Sequence, residues 1–336
     1  MIRSLPTLVR WSDWGASKIP PLFAVGYTWI LQDPSLAQRA NVRFMVWIAF
    51  TILFMAFGYG VNDFADRSVD KVAGKTHLIA LWSTARAATW LVALPVAGAL
   101  ILYPFRHDPG VVLSAGVSCL VAAAYSLPPL RFKERGVAGL VVPACAQRSL
   151  PLLVGMALLG QLTNPTAWLA VLVFTLVGLR WILLHQTIDL ANDEHTGVRT
   201  FARDHGLKWT RSILKNVIFP VELVLVLSWL AAVSVAVPAL ALAIPGYAVW
   251  FLAKAFLWQG VASPLGWTTY RLHPLADFYE IFLPLLAGTI LVLREHRCLP
   301  LLILQLVAQG AHLWSQLASV RKLLSRRLRF SAAHFP

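Results

Sequence analysis

The chain has 336 residues, of which 58% are hydrophobic and only 13% are charged, with a formal net charge of +14. Soluble domains carry roughly 25% charged residues, so a water-soluble globular protein is excluded. The basic residues fall in short segments between apolar runs and not on one soluble face, which excludes a nucleic-acid-binding surface.

Apolar runs of about 17–25 residues, long enough to cross a bilayer, recur along the chain. In order they cover about 17–33, 43–62, 84–104, 109–127, 137–160, 166–186, 211–233, 235–257 and 276–293, with a further run at about 298–318. No ten-residue alternating pattern occurs, and only helices or closed barrels span lipid, so an all-α membrane protein is expected. The first run begins after Lys18 and lacks a small-residue cleavage site, so no cleavable signal peptide is expected. Cys119, Cys145 and Cys298 stand singly, which predicts neither a zinc site nor a disulfide framework. Basic residues are richer in the segments on the N-terminal side of the membrane, and the positive-inside rule then places the N-terminus in the cytoplasm. The expected setting is a multi-pass protein of the cytoplasmic membrane.

After the second run comes "GYGVNDFADRSVDKVAGK", Gly58 to Lys75, with Asp63, Asp66 and Asp70 behind Asn62. Steps of three and four residues put the three carboxylates on one helical face. A second cluster follows the sixth run in "WILLHQTIDLANDEHTGVRTFARDHG", with Asp189 and Asp193 at i, i+4, Glu194 beside them and Asn192 between. Like charges this close repel, and a divalent cation reverses the sign of that interaction. All the candidate ligands are oxygens, so Mg²⁺ or Mn²⁺ is expected and zinc is not. Mg²⁺ keeps one or two protein carboxylates and fills its shell with water and substrate phosphate, so two facing clusters suit a diphosphate. His185, one turn before Asp189, reads as a helix-end hydrogen-bonding residue.

Basic side chains for that diphosphate lie in the same segments: Arg67, Lys71 and Lys75 in the first, Arg199 and Arg203 in the second. A third segment, "YSLPPLRFKERG", begins at Tyr125. Pro128 and Pro129 end the helix, and Arg131 and Lys133 follow on alternate positions of a segment expected to be extended. Glu134, Arg135 and Lys208 read as solvated charges.

These residues resemble the UbiA-type superfamily of intramembrane prenyltransferases. Its Asn-Asp-x-x-Asp-x-x-x-Asp motif is met by Asn62, Asp63, Asp66 and Asp70. Its Asp-x-x-x-Asp motif is met by Asp189 and Asp193, followed by Gly197 and Thr200. Its Tyr-Ser-x-Pro-Pro-x-Arg-x-Lys segment is met by Tyr125, Ser126, Pro128, Pro129, Arg131 and Lys133. The chain departs from the family after the third aspartate, where "KVAGKTHLIA" replaces Arg-Thr-x-x-Arg-Pro. The resemblance implies nine transmembrane helices around a central cavity in residues 1–296, Mg²⁺ held by both aspartate motifs, a prenyl diphosphate donor and an aromatic or lipid acceptor. It makes Asn62 both a metal ligand and a substrate contact. It also implies an allylic carbocation, for which Tyr59, Tyr125 and Trp181 are candidate aromatic faces; each also fits an interfacial aromatic belt. Three other functions stay open. A UbiA-type terpene cyclase shares the metal motifs. A transferase for a non-aromatic lipid or carotenoid end does too. An ion-coupled transporter also uses membrane carboxylates, but its acids sit near mid-membrane, and here they lie at helix ends with basic partners. The acceptor, the donor length and the oligomeric state are not legible.

Residues 297–336 lie outside the shared pattern. Gln305, Gln309, His312 and Gln316 form one polar stripe on an apolar helix, followed by Arg321, Lys322, Arg326, Arg327 and Arg329. Charge placement predicts a tenth helix that crosses back, packs its stripe on the bundle or another subunit, and sets its basic end against anionic lipid. The rival expectation is a helix lying flat on the outer surface.

Overall fold

Every apolar run read from the sequence folds as helix in the computed structural model, which describes residues 5–72, 74, 77–196, 200–258 and 273–332. A short α1 (Leu5–Leu8) precedes α2 (Trp11–Gln32), and α3 (Ala37–Ala65) leads into α4 (Arg67–Val72). Next come α5 (Thr84–Leu102) and α6 (Pro109–Ser126), then α7 (Ala138–Ala144) and α8 (Leu150–Leu158), which a π turn at Cys145–Ser149 joins. The long α9 (Pro165–Thr196) is followed by α10 (Phe201–His205) and α11 (Leu207–Ile213), and a second π turn, Leu214–Ile218, joins α11 to α12 (Phe219–Ala236). The described chain ends with α13 (Ala243–Trp258), a third π turn at Phe278–Phe282 leading into α14 (Leu283–Arg294), and α15 (Leu299–Ala332). Among the described residues there is no strand.

Eight of these helical stretches are long and apolar enough to cross a membrane. The helices α2 and Phe278–Arg294, expected as the first and ninth spans, fall outside those eight. Side-chain caps fix several starts. Asp108 accepts from the amides of Gly110 (2.9 Å) and Val111 (3.2 Å) with Pro109 at the first position of α6, and Ser83 accepts from Arg86 (3.3 Å) on α5. The helix α9 runs ten residues past its expected end near 186, because no glycine or proline interrupts the sequence from Leu179 to Thr196.

The described chain divides into two units, Met1–Trp14 with Gln38–Trp229 and Gly15–Ala37 with Leu230–Pro336. In the first, Trp47 donates to the Pro151 carbonyl (2.6 Å) and Arg43 to that of Leu158 (2.7 Å), tying α3 to α8. Gly178 on α9 brings the backbone against Ala144, where an added Cβ would lie 3.0 Å from its carbonyl oxygen. Small residues allow such close approach between membrane helices. Arg180 and Glu222, both fully buried, form an ion pair between α9 and α12, with the guanidinium 5.0 Å from the Phe219 ring centre. Charges inside apolar runs need such partners, and this one fixes the helix that carries Asp189.

In the second unit the polar stripe of α15 is packed inward. Gln305 and Gln309 are fully buried. Gln305 donates to Gln309 (2.8 Å), and Gln309 donates to the Glu280 carbonyl (2.6 Å). Pro284, four residues after Glu280, has no N–H to give that carbonyl its α-helical bond, and the glutamine supplies one. Lys254 pairs with Asp277 and donates to Gln316 (3.2 Å), and His312 lies 3.7 Å from Glu280. The expected packing of the stripe is therefore found within the chain itself.

Candidate active site

The site is assembled in the first unit at the C-terminal end of α3. Its last turn carries Asn62 and Asp63, Asp66 links α3 to α4, and Asp70 lies in α4. The helical ladder continues through the link, from the Asp66 amide to the Asn62 carbonyl (2.9 Å) and from the Asp70 amide to that of Asp66 (2.8 Å). At about 100° per residue, Asp70 returns to within about 20° of Asp63, whereas Asp66 is offset by about 60°. The structure follows that phase. Asp63 and Asp70 converge with His77, their ligand atoms all within 4.8 Å of one another. Asp66 turns instead to Lys133, with Arg131 at 3.5 Å. The three acids lie within about 60° of one another around the helix, as the spacing predicts, but their carboxylates divide between two sets of partners.

Asp63 is 2% exposed, and its carboxylate accepts from Arg10 at 2.5 Å. Arg10 also grips Asp13 through two nitrogens, at 2.6 and 2.7 Å, and stands 5.1 Å from the Tyr59 ring centre. Burial acts to lower the Arg10 pKa, but the charges of Asp63 and Asp13 outweigh it and hold the guanidinium more firmly protonated than usual. Asn62 accepts from the Ser126 hydroxyl (3.1 Å), which ties α3 to α6.

Arg131 and Lys133 were expected on an extended segment. Instead Phe132–Glu134 is a 3₁₀ turn entered through a left-handed Arg131 (φ 38°, ψ 55°), and this tight turn brings both cations to Asp66. Glu134, read as solvated, accepts from Arg131 (2.6 Å), and Arg135 donates to the Pro129 carbonyl (2.7 Å). Arg67, expected on the diphosphate, is engaged elsewhere. It donates to the carbonyls of Ile79 (3.0 Å) and Trp82 (3.1 Å) and covers the Phe64 ring at 4.4 Å, fastening the segment that follows His77. Lys71 is exposed on α4, and Asp189 is exposed on α9. The side chains of Asn192 and Asp193, and residues Lys75, Gly197 and Arg199, lie outside the described residues.

Beside the acids lies a cavity of about 180 Å³ with polar lining from Arg10, Asn62, Tyr59, Tyr125 and Gln147, and apolar lining that includes Phe54, Met55 and Pro143. One water needs only about 10–15 Å³ of such space, so the cavity suits a ligand group. The π turn at Cys145–Ser149 supplies Gln147 to it; such turns recur at functional sites. Trp181 is not among the lining residues; its ring lies 5.7 Å from that of His185. Two carboxylates and an imidazole at this spacing fit a divalent cation.

Sequence reasoning missed Arg10, Asp13, His77 and Gln147. Arg10 and Asp13, three residues apart before the first apolar run, were the available signal for one pair. The departure "KVAGKTHLIA" was the signal for His77.

A multi-pass helical membrane protein with clustered carboxylates met by basic side chains defines the class. The sequence profile of the UbiA prenyltransferase family matches residues 21–272, and the chain belongs to that family. The chain is 26% identical to the chloroplastic chlorophyll synthase of Arabidopsis thaliana over 159 residues, 44% of this chain, and spans 41% of that relative's length. In fold it is similar to a UbiA homolog from Archaeoglobus fulgidus solved with GPP and Mg²⁺, with a TM-score of 0.59 and 15% identity over 85% of this chain and 98% of that one. The same homolog with DMAPP and Mg²⁺ gives a TM-score of 0.55 over 84% and 98%.

Proposed function

We propose that the protein is a divalent-metal-dependent prenyltransferase, which ionises a prenyl diphosphate and transfers the prenyl group to an aromatic or lipid acceptor. The observation that carries this reading is the juxtaposition of the Asp63–Asp70–His77 group and the Asp66–Lys133–Arg131 group with an aromatic-walled cavity. The archaeal neighbour's complexes with GPP, DMAPP and Mg²⁺ support the donor class and the metal.

In this reading Asn62, Asp63, Asp66 and Asp70 act together with Asp189 and Asp193 of the second motif on one diphosphate. These residues would hold a divalent cation, which would neutralise diphosphate charge and so make it a better leaving group. Lys133 and Arg131, held at Asp66, reach diphosphate oxygens as charge develops on them, with Lys71 and Arg199 as further candidate contacts for the diphosphate. The C–O bond breaks and the diphosphate leaves with its electron pair. The faces of Tyr59 and Tyr125 stabilise the allylic cation by about 0.5–2 kcal/mol each. The acceptor's nucleophile then closes the new bond and gives up a proton. Residues 1–296 form the catalytic domain, residues 297–336 an added helix and tail, and the site faces the cytoplasm.

Membranes containing the protein are incubated with a panel of labelled prenyl diphosphates, with and without aromatic and lipid acceptors. Prenylated acceptor, abolished by chelator and by Asp63→Asn or Asp189→Asn, is the expected result. A cyclic product from donor alone would reassign the protein as a terpene cyclase. Turnover that persists in excess chelator would overturn the metal-dependent reading.

A further inference from the structure

His77 lies in the segment where the chain departs from its family, and the mechanism above gives its nitrogen no task. A ring nitrogen nevertheless lies within 4.8 Å of a carboxylate oxygen of both Asp63 and Asp70. The placement is fastened from behind. Arg67 holds the carbonyls of Ile79 and Trp82, and Ile79, two residues after His77, is 2% exposed. The helical phase that returns Asp70 to the side of Asp63 sets the other two corners. Around a cation with ligands at about 2.1 Å, adjacent donors stand about 3 Å apart and opposite donors about 4.2 Å, so three groups within 4.8 Å of one another draw together to share one ion.

We infer that His77 is a third protein ligand at this metal position and that its nitrogen makes the position select Mn²⁺ over Mg²⁺. The inference rests on the metal-dependent reading above. Mg²⁺ is a hard cation that binds oxygen and dehydrates reluctantly. Imidazole favours the first-row divalent metals, and carboxylate and water suit Mn²⁺ as well as Mg²⁺. One imidazole beside two carboxylates therefore tilts the choice toward Mn²⁺ over Mg²⁺, while a single nitrogen among oxygen ligands falls short of the nitrogen- and sulfur-rich sets typical of zinc. Arg67 acts as a positioning residue, because it holds the segment that presents the imidazole.

The test uses the purified full-length protein in detergent with Mn²⁺ alone as the probe, read by pulsed EPR for nitrogen coupling and by calorimetry for affinity. The expected spectrum contains a directly bound imidazole nitrogen. His77→Gln removes that coupling and weakens Mn²⁺ binding about tenfold or more, with a smaller change for Mg²⁺. Mn²⁺ binding that depends on Asp63 but shows no nitrogen coupling would overturn the assignment of His77 and leave the acid site standing. Mn²⁺ binding unaffected by Asp63→Asn would overturn both readings. The wild-type spectrum decides even if His77→Gln does not fold. A coupling lost in His185→Gln but kept in His77→Gln would move the ligand to the second acid motif and overturn the inference.

Discussion

Arg10 and Asp63 stand 53 residues apart in sequence and 2.5 Å apart in the structure. One lies just before the first long helix and the other in the last turn of α3, so the pair joins the N-terminal segment to the acid motif. A carboxylate at 2% exposure needs a cationic partner. Arg10 serves Asp13 at the same time, so one guanidinium holds two acids and forms part of the cavity wall.

Replacing Arg10 by leucine removes that partner from a buried carboxylate. Breaking a buried pair costs about 3–5 kcal/mol. The 21% exposure of the Arg10 side chain discounts this to roughly 2–3 kcal/mol. Thermal unfolding in detergent should show the loss. Added Mg²⁺ or Mn²⁺ should recover more stability in the variant than in the wild type, because the cation takes over the charge that Arg10 compensated. Equal metal-induced shifts in both proteins would refute that substitution.

The second prediction concerns pH. Burial pushes Asp13 up, but the Arg10 charge and the hydrogen bonds from Arg10 and Ser12 outweigh it, and the carboxyl lies below its usual range. A depressed pKa in the folded state stabilises above the unfolded value and is lost as pH falls through the folded one. The stability difference between wild type and Asp13→Asn should therefore stay level from about pH 8 to pH 5 and close only below about pH 4. Melting curves across that range check it; closure between about pH 5 and 7 would instead point to a histidine.

Physical reasons separate what was legible in the sequence from what was not. The helices were legible because long apolar runs admit no other structure in lipid. The first acid motif was legible as a cluster, but which of its acids would converge was not. That depended on the small phase difference between Asp66 and Asp70, and on where the Lys133 turn and the His77 segment return. The left-handed backbone of Arg131 is uncommon for a non-glycine residue, and nothing local announces it. The Arg180–Glu222 pair was half legible. Each charge is conspicuous within its apolar run, yet the pairing is set by how α9 and α12 pack.

The third prediction tests the Lys133 turn from two sides. Lys133→Met should raise the donor KM or lower kcat, since it removes a cation at Asp66. Gly139→Ala approaches the same turn through the backbone, because the added Cβ would lie 2.8 Å from the Lys133 carbonyl oxygen and 3.3 Å from that of Phe132. Small misplacements of this kind cost up to about 100-fold in rate. A drop of about tenfold or more in kcat/KM is expected for Gly139→Ala, together with a loss of about 1–3 kcal/mol in stability as the turn shifts to relieve the contact. Wild-type donor kinetics in both variants would return Lys133 to a topological role.

The last prediction concerns α15. Its 34 residues span about 51 Å, more than the roughly 30 Å hydrocarbon core of a bilayer. A helix lying flat at the interface turns its polar face to water and its apolar face to lipid. Here the faces are reversed with respect to the chain. Gln305 and Gln309 are fully buried, while Val307 and Trp314 are both 74% exposed. That pattern suits a helix surrounded by lipid and held by polar contacts on its inner side. The Lys254–Asp277 pair supplies part of the hold, since Lys254 also binds Gln316. Lys254→Met should therefore loosen the end of α15 and destabilise the protein by about 3–5 kcal/mol, because Asp277 loses its partner. Changing Asp277 to leucine as well should recover much of that loss. The helix is then expected to cross the membrane and leave its basic end on the N-terminal side. A cysteine introduced at Ser331, with Cys298 replaced, should resist a membrane-impermeant thiol reagent in intact cells and react once the cells are opened. Labelling in intact cells would rule out the crossing.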